Sequence, residues 1–395
     1  MVRQTLYSGG LIYDGLLQAL EGQALLVENE RIKEVSPVGD FQGFAGDRVD
    51  FSGGPLLPGL IDCHVHLIYG GEGDPKSKVG GSKPGDLVMR ALDRAQESLR
   101  SGVTSLRDLG GKDFLEFAVR DACNSGRQMG PTILAAGQMI CMTGGHGNAF
   151  GRVADGPHEV IKAVREQVHA GSDVIKIMAT GGVMTPGVNP EDAHYSLEEL
   201  TVGIHEGHRF NKTCASHAQG SEGVLNAVRA GIDSIEHGIF LTDECIEVML
   251  AAGTYLVPTL SALLNIVENK DRGVPAFAVE KSLRIKDRHQ ESIKMFYKAG
   301  GKIAMGTDAG TPYNLHGANA GELRFMTDIG ISNLDALKFS TSNAADLLTL
   351  NERGRIQKNC FADFLIVDGN PLENILQVSD RKNHRLVVKN GKAVV

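Results

Sequence analysis

The stretch Ala170-Gly171-Ser172-Asp173-Val174-Ile175-Lys176-Ile177-Met178-Ala179 sets the reading of the whole chain. A small residue and a glycine close an amphipathic segment, and a β-branched apolar run follows at once. A glycine in that place fits a helix C-cap in the left-handed region, with a strand directly after it. The same pair recurs as Ser101-Gly102, Ala230-Gly231, Ala252-Gly253 and Ala299-Gly300. Apolar runs stand at Thr104–Leu109, Thr132–Ala136, Asp173–Ala179, Thr213–Ala218, Ser234–His237, Tyr255–Leu260 and Lys302–Thr307. With Leu60–His66 they make eight strand–helix units. The pattern predicts an α/β fold, a (β/α)8 TIM barrel over residues 57–351, with a doubly wound open sheet as the competitor.

The flanks read differently. Thr5–Tyr7, Ala24–Val27 and Arg31–Val35 alternate with Gly and Asn turns, as do Asp363–Val367 and Arg385–Val388 near the other end. Lys389-Asn390-Gly391-Lys392 carries a strong hairpin signal. Each flank would be marginal alone. Residues 1–56 and 352–395 are therefore expected to join into one small β-sandwich domain.

Composition limits the function classes. Hydrophobic residues make up 42% and charged residues 22%, which fits a globular chain rather than disorder. The net charge of −8, without a basic run, argues against a nucleic-acid partner or an anionic membrane. No apolar run nears a membrane span, and MVRQTLYSGGLIYDG has no signal-peptide pattern. Cys63, Cys123, Cys141, Cys214, Cys245 and Cys360 form no CxxC pair and read as reduced thiols. The expectation is a soluble cytoplasmic protein; a homo-oligomer is left open. Glycine is abundant, 49 of 395 residues, which suits tight turns and loops that approach a ligand closely.

The sharpest local feature is His64-Val65-His66. On a strand, residues i and i+2 share a face, so both imidazoles point one way and a divalent metal would satisfy both. Lys176 lies between Val, Ile and Met, where a charged unpaired amine is costly. Desolvation favours its neutral form, which can add CO2 to give a carbamate able to bridge two cations. The plainer reading is a lysine paired with a carboxylate. His217, His237 and Asp308 each end an apolar run just before a loop, the face at which barrel active sites are built. His146, in Gly144-Gly145-His146-Gly147, suits a donor that polarises a carbonyl. His205-Glu206-Gly207-His208 lacks one residue of a zinc-binding HExxH and reads as a solvated helix face, and Cys63 should pack away from the lumen.

These residues resemble the amidohydrolase superfamily, nearest its imidazolonepropionase- and Xaa-Pro-dipeptidase-like hydrolases. The resemblance spans the chain, from Leu57-Pro58-Gly59-Leu60-Ile61-Asp62-Cys63-His64-Val65-His66 to Ala362-Asp363-Phe364-Leu365-Ile366-Val367-Asp368-Gly369-Asn370-Pro371. It implies two divalent metal ions, usually zinc. His64, His66 and Asp308 would hold the first, His217 and His237 the second, and a carbamate on Lys176 would bridge them. The implied reaction is hydrolysis of an amide-type C–N bond in a dipeptide, N-acyl amino acid or related small molecule. A hydroxide bridging the metals attacks, Asp308 moves the proton, and His146 assists at the carbonyl. Dipeptidase-like relatives carry a tyrosine where this chain has Gln219, which puts a substrate carboxylate in doubt. Cyclic-amide hydrolysis, phosphotriester or lactone hydrolysis, a mononuclear deaminase and a non-catalytic scaffold are the rivals. Specificity is expected from the mouth loops, with Arg152, Tyr195, Tyr313, Asn314 and His316 as candidates.

Overall fold

The computed structural model describes residues 3–16 and 18–394; Met1, Val2, Leu17 and Val395, all within the expected flanking segments, lie outside the described residues. Val174–Met178 is a strand buried at every position, as a parallel strand covered on both faces must be. It sits third in a six-stranded sheet whose spatial order is Arg152–Val153, Ile140–Cys141, Val174–Met178, Thr213–Ala218, Ser234–His237, Tyr255–Val257. Every pairing in it is parallel. A second sheet orders Thr132–Ala135, Val103–Asp108 and Leu60–Val65. Helices alternate with these strands, among them Leu197–Arg209, Ser221–Arg229 and Asp243–Ala252. The chain thus has an α/β fold.

The glycines of the five small-Gly pairs all adopt positive φ: 88° at Gly102, 100° at Gly171, 91° at Gly231, 70° at Gly253 and 79° at Gly300. An L side chain is strained there, so each helix ends where the sequence places a glycine. Lys302–Thr307 departs from expectation. It forms no ladder, only an isolated bridge from Ile303 to Leu256. Its hydrogen bonds are spread over two neighbours: Ala304 N donates to Leu256 O and Cys63 N to Met305 O. Gly306 explains part of this, since a Cβ there would come within 2.3 Å of Val257 and 2.9 Å of His64.

By contacts the chain divides into two units. One comprises residues up to Asp62, Gln96–Ser105 and Gly317 onward. It holds a four-stranded sheet ordered Arg31–Pro37, Gln23–Glu28, Gln4–Ser8, Asp47–Asp50, and a six-stranded sheet in which Phe364–Val367 pairs with both His384–Lys389 and Leu56–Pro58. Tyr7, Leu25, Ile32 and Leu56 pack in one apolar cluster with Phe364, Ile366 and Val388, so both ends of the chain share a core. Asn390 (φ 47°) and Gly391 (φ 70°) make the hairpin turn between paired Lys389 and Lys392. The other unit comprises Cys63–Ala95 and Leu106–His316. No helix among the described residues is long and apolar enough to cross a membrane.

Candidate metal centre

All six residues expected to hold metal belong to the unit formed by Cys63–Ala95 and Leu106–His316. They line one cavity of about 330 Å³, together with His146. Strand geometry places most of them. His64 and His66 project from one face of their strand with ring centroids 5.3 Å apart. His217 is opposite Glu236 in the register of adjacent strands, so these two share a face. Alternation would then turn His237 to the other face. Its backbone, with φ 76°, leaves the strand in the left-handed region, and the ring lies 4.5 Å from that of His217. Asp308 (φ 60°) and Thr259 (φ 53°) are in the same sparsely populated region beside it.

One part of the wall is charged. His64, His66 and Asp308 each offer a donor atom, all within 4.8 Å of one another. Asp308 Oδ1 is 3.2 Å from His66 Nε2 and 3.6 Å from His64 Nε2. Burial works against a proton on His66, but the Asp308 hydrogen bond and charge outweigh it and raise its pKa. Behind His64, Nδ1 is 2.8 Å from Glu236 Oε2. Glu236 Oε1 accepts from Arg107 at 2.9 Å and from Ser234 Oγ at 2.6 Å, and Arg107 Nε donates to Cys63 O at 2.7 Å. Arg107 and Glu236 are both 0% exposed, a buried ion pair whose remaining polar atoms are met by Ser234 and backbone. Holding Nδ1–H on a carboxylate leaves Nε2 as a lone-pair donor toward the cavity. Desolvation first, then the Lys176 charge, pushes the His64 pKa well down, so the ring is neutral and fit to ligate.

The other part is held by neutral groups. His237 Nδ1 is 2.6 Å from Thr259 Oγ1, and His217 Nε2 is 2.9 Å from Gly181 O. Burial holds both imidazoles far below their ordinary pKa. Lys176 is 2% exposed, and its Nζ has no hydrogen-bond partner among the described residues. Desolvation lowers its pKa to about 8, although Glu236 and Asp308 pull upward. Four histidines, a carboxylate and an amine of depressed pKa are a donor set that fits two divalent cations and a carbamate. His146 stacks 4.5 Å from His217, with Nδ1 2.8 Å from Thr185 Oγ1. Its approach depends on Gly182, where a Cβ would lie 2.7 Å from the His146 ring. Burial lowers the His146 pKa to about 3.

The loop candidates fare otherwise. Arg152 is paired with Glu166 at 2.6 Å and Glu159 at 3.1 Å, away from the cavity wall. Tyr195 donates to Ala154 O, Tyr313 to Arg272 O, and Asn314 to Thr307 O; His316 Nε2 faces the His66 and Tyr69 carbonyls. All five brace loops, and none lines the cavity. The wall is largely apolar, with Met139, Phe150, Met178, Val183, Ile239 and Phe277. His205 and His208 are exposed as expected, His208 pairing with Asp233 at 2.8 Å. Cys63 is buried away from the cavity. Arg107 and Glu236 went unread in the sequence, although each is a charge inside an apolar run, the same signal that singled out Lys176.

Comparison with known proteins bears on this centre. The amidohydrolase family model matches residues 56–394. An ochratoxinase from Aspergillus niger is 30% identical, with 98% of this chain and 86% of that protein covered. A crystal structure of a Xaa-Pro dipeptidase with bound methionine in its active site superposes with a TM-score of 0.91 at 31% identity, covering 99% of both chains. A prolidase complexed with N-methylphosphonate-L-proline gives 0.90 at 29% identity, again over 99% of both.

Proposed function

The chain belongs to the amidohydrolase family and is a hydrolase of carbon–nitrogen bonds, and from that premise we propose that it cleaves a small amide, N-acyl amino acid or dipeptide with two divalent ions, zinc as the expected metal. The observation that carries this reading is the Lys176 amine, without a hydrogen-bond partner among the described residues, in a cavity wall with His64, His66, His217, His237 and Asp308. In this assignment His64, His66 and Asp308 would hold one ion and His217 and His237 the other, with a carbamate on Lys176 as a ligand they could share. The names of the relatives, a dipeptidase and a prolidase among them, support the substrate class.

When bound, the ions supply a water of lowered pKa and a Lewis acid for the scissile carbonyl. The chain does the rest. Asp308 takes the proton of the attacking water and returns it to the leaving nitrogen. With the Thr185 hydroxyl donating to His146 Nδ1, the ring would carry its hydrogen on Nε2 and could donate to the developing oxyanion. Its depressed pKa keeps that imidazole neutral throughout. The apolar wall takes the acyl or side-chain substituent and excludes water.

The bridges of Val65 to Ala309 and of Leu256 to Ile303 support closure of the parallel strands into one (β/α)8 barrel, assigned to residues 57–351. The shared core of the two ends supports a β-sandwich domain from 1–56 and 352–395. A reducing, cytoplasmic compartment fits six cysteines without a disulfide.

The test is metal content by mass spectrometry, joined to a hydrolysis screen over dipeptides, N-acyl amino acids and cyclic amides. About two equivalents with amide cleavage is expected. One equivalent with ammonia release would mean a deaminase, and no metal a scaffold. His146→Asn should lower kcat by about 10²–10³-fold with metal retained.

A further inference from the structure

The assigned roles leave one buried hydrogen-bonding group unused. Gln219 follows the strand Thr213–Ala218 and is 3% exposed. Its backbone is pinned on both sides, N donating to Thr180 Oγ1 at 3.0 Å and O accepting from Phe240 N at 2.8 Å. Gln219 lines the cavity, yet its Oε1 meets no hydrogen-bond partner among the described residues. An unmet polar atom inside a buried wall is costly.

The charges around it narrow what could meet it. No arginine lines the cavity among the described residues. Apart from Lys176, already given the bridging role, the wall has one lysine, Lys76, which is solvent-exposed. Asp74 is the wall's other acid beside Asp308, which is already given to the metal. A free carboxylate brought to Gln219 would gain no guanidinium fork. An uncharged amide suits the position better. The glutamine carboxamide offers two N–H donors and one acceptor, and a carboxamide partner meets both kinds while a carboxylate only accepts.

We propose that Gln219 is a specificity-determining residue that hydrogen-bonds an uncharged carboxamide on the substrate. The substrates are then apolar amides bearing a second neutral amide group in place of a free carboxylate. This rests on the amide-hydrolase reading and adds to it the charge of the group beyond the scissile bond.

Two measurements on zinc-loaded protein keep the ideas separable. The first is kcat/KM for N-acetylphenylalaninamide against N-acetylphenylalanine. The second is calorimetric binding of phenylalaninamide against phenylalanine, which needs no acyl cleavage. The amide should be preferred by about tenfold or more in both. Gln219→Leu should bring both ratios to within about threefold of unity with metal content unchanged. Gln219→Met, closer in shape and without a hydrogen-bonding group, serves the same end if the leucine variant fails to fold. Lys76→Met should leave the ratios alone. Equal binding, or tighter binding of phenylalanine, overturns the proposal, and loss of that preference in Lys76→Met would assign the carboxylate to Lys76. Tighter phenylalaninamide binding without hydrolysis of either substrate keeps the Gln219 assignment and overturns the amide-hydrolase reading instead.

Discussion

Behind His64 stands a carboxylate; behind His237 stands a hydroxyl, and behind His66 and His217 a backbone carbonyl. All four rings are thereby held in orientation, so orientation alone does not require the ion. What Glu236 adds is charge. A carboxylate on the far nitrogen makes an imidazole more basic toward a metal, whereas a hydroxyl or carbonyl does so less. That gain requires Arg107 and Glu236 to be buried as ions, which is tolerable because Ser234, Cys63 O and His64 complete their hydrogen bonds. The Lys176 side has no such counter-charge at its histidines. The comparison teaches that one half of the wall is organised as a permanent anion-backed ligand. On the proposed assignment, the other half would become a strong site only once the amine is carboxylated.

The largest effect should fall on the half that waits for its charge. Lys176→Ala is expected to lose the second equivalent of metal and all measurable hydrolysis, and a short carboxylic acid added in solution should restore part of both. Full metal content and rate in that variant would remove Lys176 from the centre. Asp308→Asn should keep much of the metal and lower kcat by about 10²–10⁴-fold, the usual worth of a positioned proton acceptor. A rate within about threefold of wild type would move the proton shuttle elsewhere.

A smaller effect tests the comparison itself. Glu236→Gln should weaken retention of one ion by about 10–100-fold, read as faster loss to a chelator. Thr259→Val, which removes the neutral partner of His237, should change retention less. Because Glu236→Gln leaves the Arg107 guanidinium without its carboxylate, the double variant Arg107→Met/Glu236→Gln serves as the folding control. Equal losses in the Glu236 and Thr259 variants would show that the charge behind His64 does nothing a hydroxyl cannot.

The smallest effect is on stability and follows from the sign of one shift. In the metal-free protein Lys176 has a pKa of about 8 against 10.5 when unfolded. Between those values the unfolded chain binds the proton and the folded chain does not, so stability rises with pH there. The penalty is therefore fully present below about 8 and fades toward 10.5. Lys176→Met should raise the melting temperature of metal-free protein at neutral pH, with the advantage shrinking on alkalinisation. A constant advantage across that range would mean packing, not ionisation, sets the cost.

Sequence reading succeeded where a single physical rule decides. The glycine-terminated helices, the His64/His66 pair and the Asn390-Gly391 turn each follow from one residue type in one backbone conformation. It failed where several weak rules compete. Arg152 sits on a two-residue strand and Tyr195 in a loop, with no period to aim either; Arg152 turns to Glu159 and Glu166 of the following helix, and Tyr195 to Ala154 O. Lys302–Thr307 has the composition of a strand, but it divides its hydrogen bonds between two neighbours. His237 was found for an incomplete reason. Alternation alone would have chosen Glu236 as its strand's inward residue, and only the turn at φ 76° brings the histidine in.

The left-handed backbone at His237, Asp308 and Thr259 has a further consequence, for how this protein could change. Each position keeps a strained backbone to aim a side chain, just as Lys176 keeps a buried amine that methionine would spare. Random variation screened for thermal resistance alone would therefore drift toward methionine at Lys176. The enrichment would erase the chemistry while improving the fold, so positions where robustness and turnover select opposite residues mark the active face.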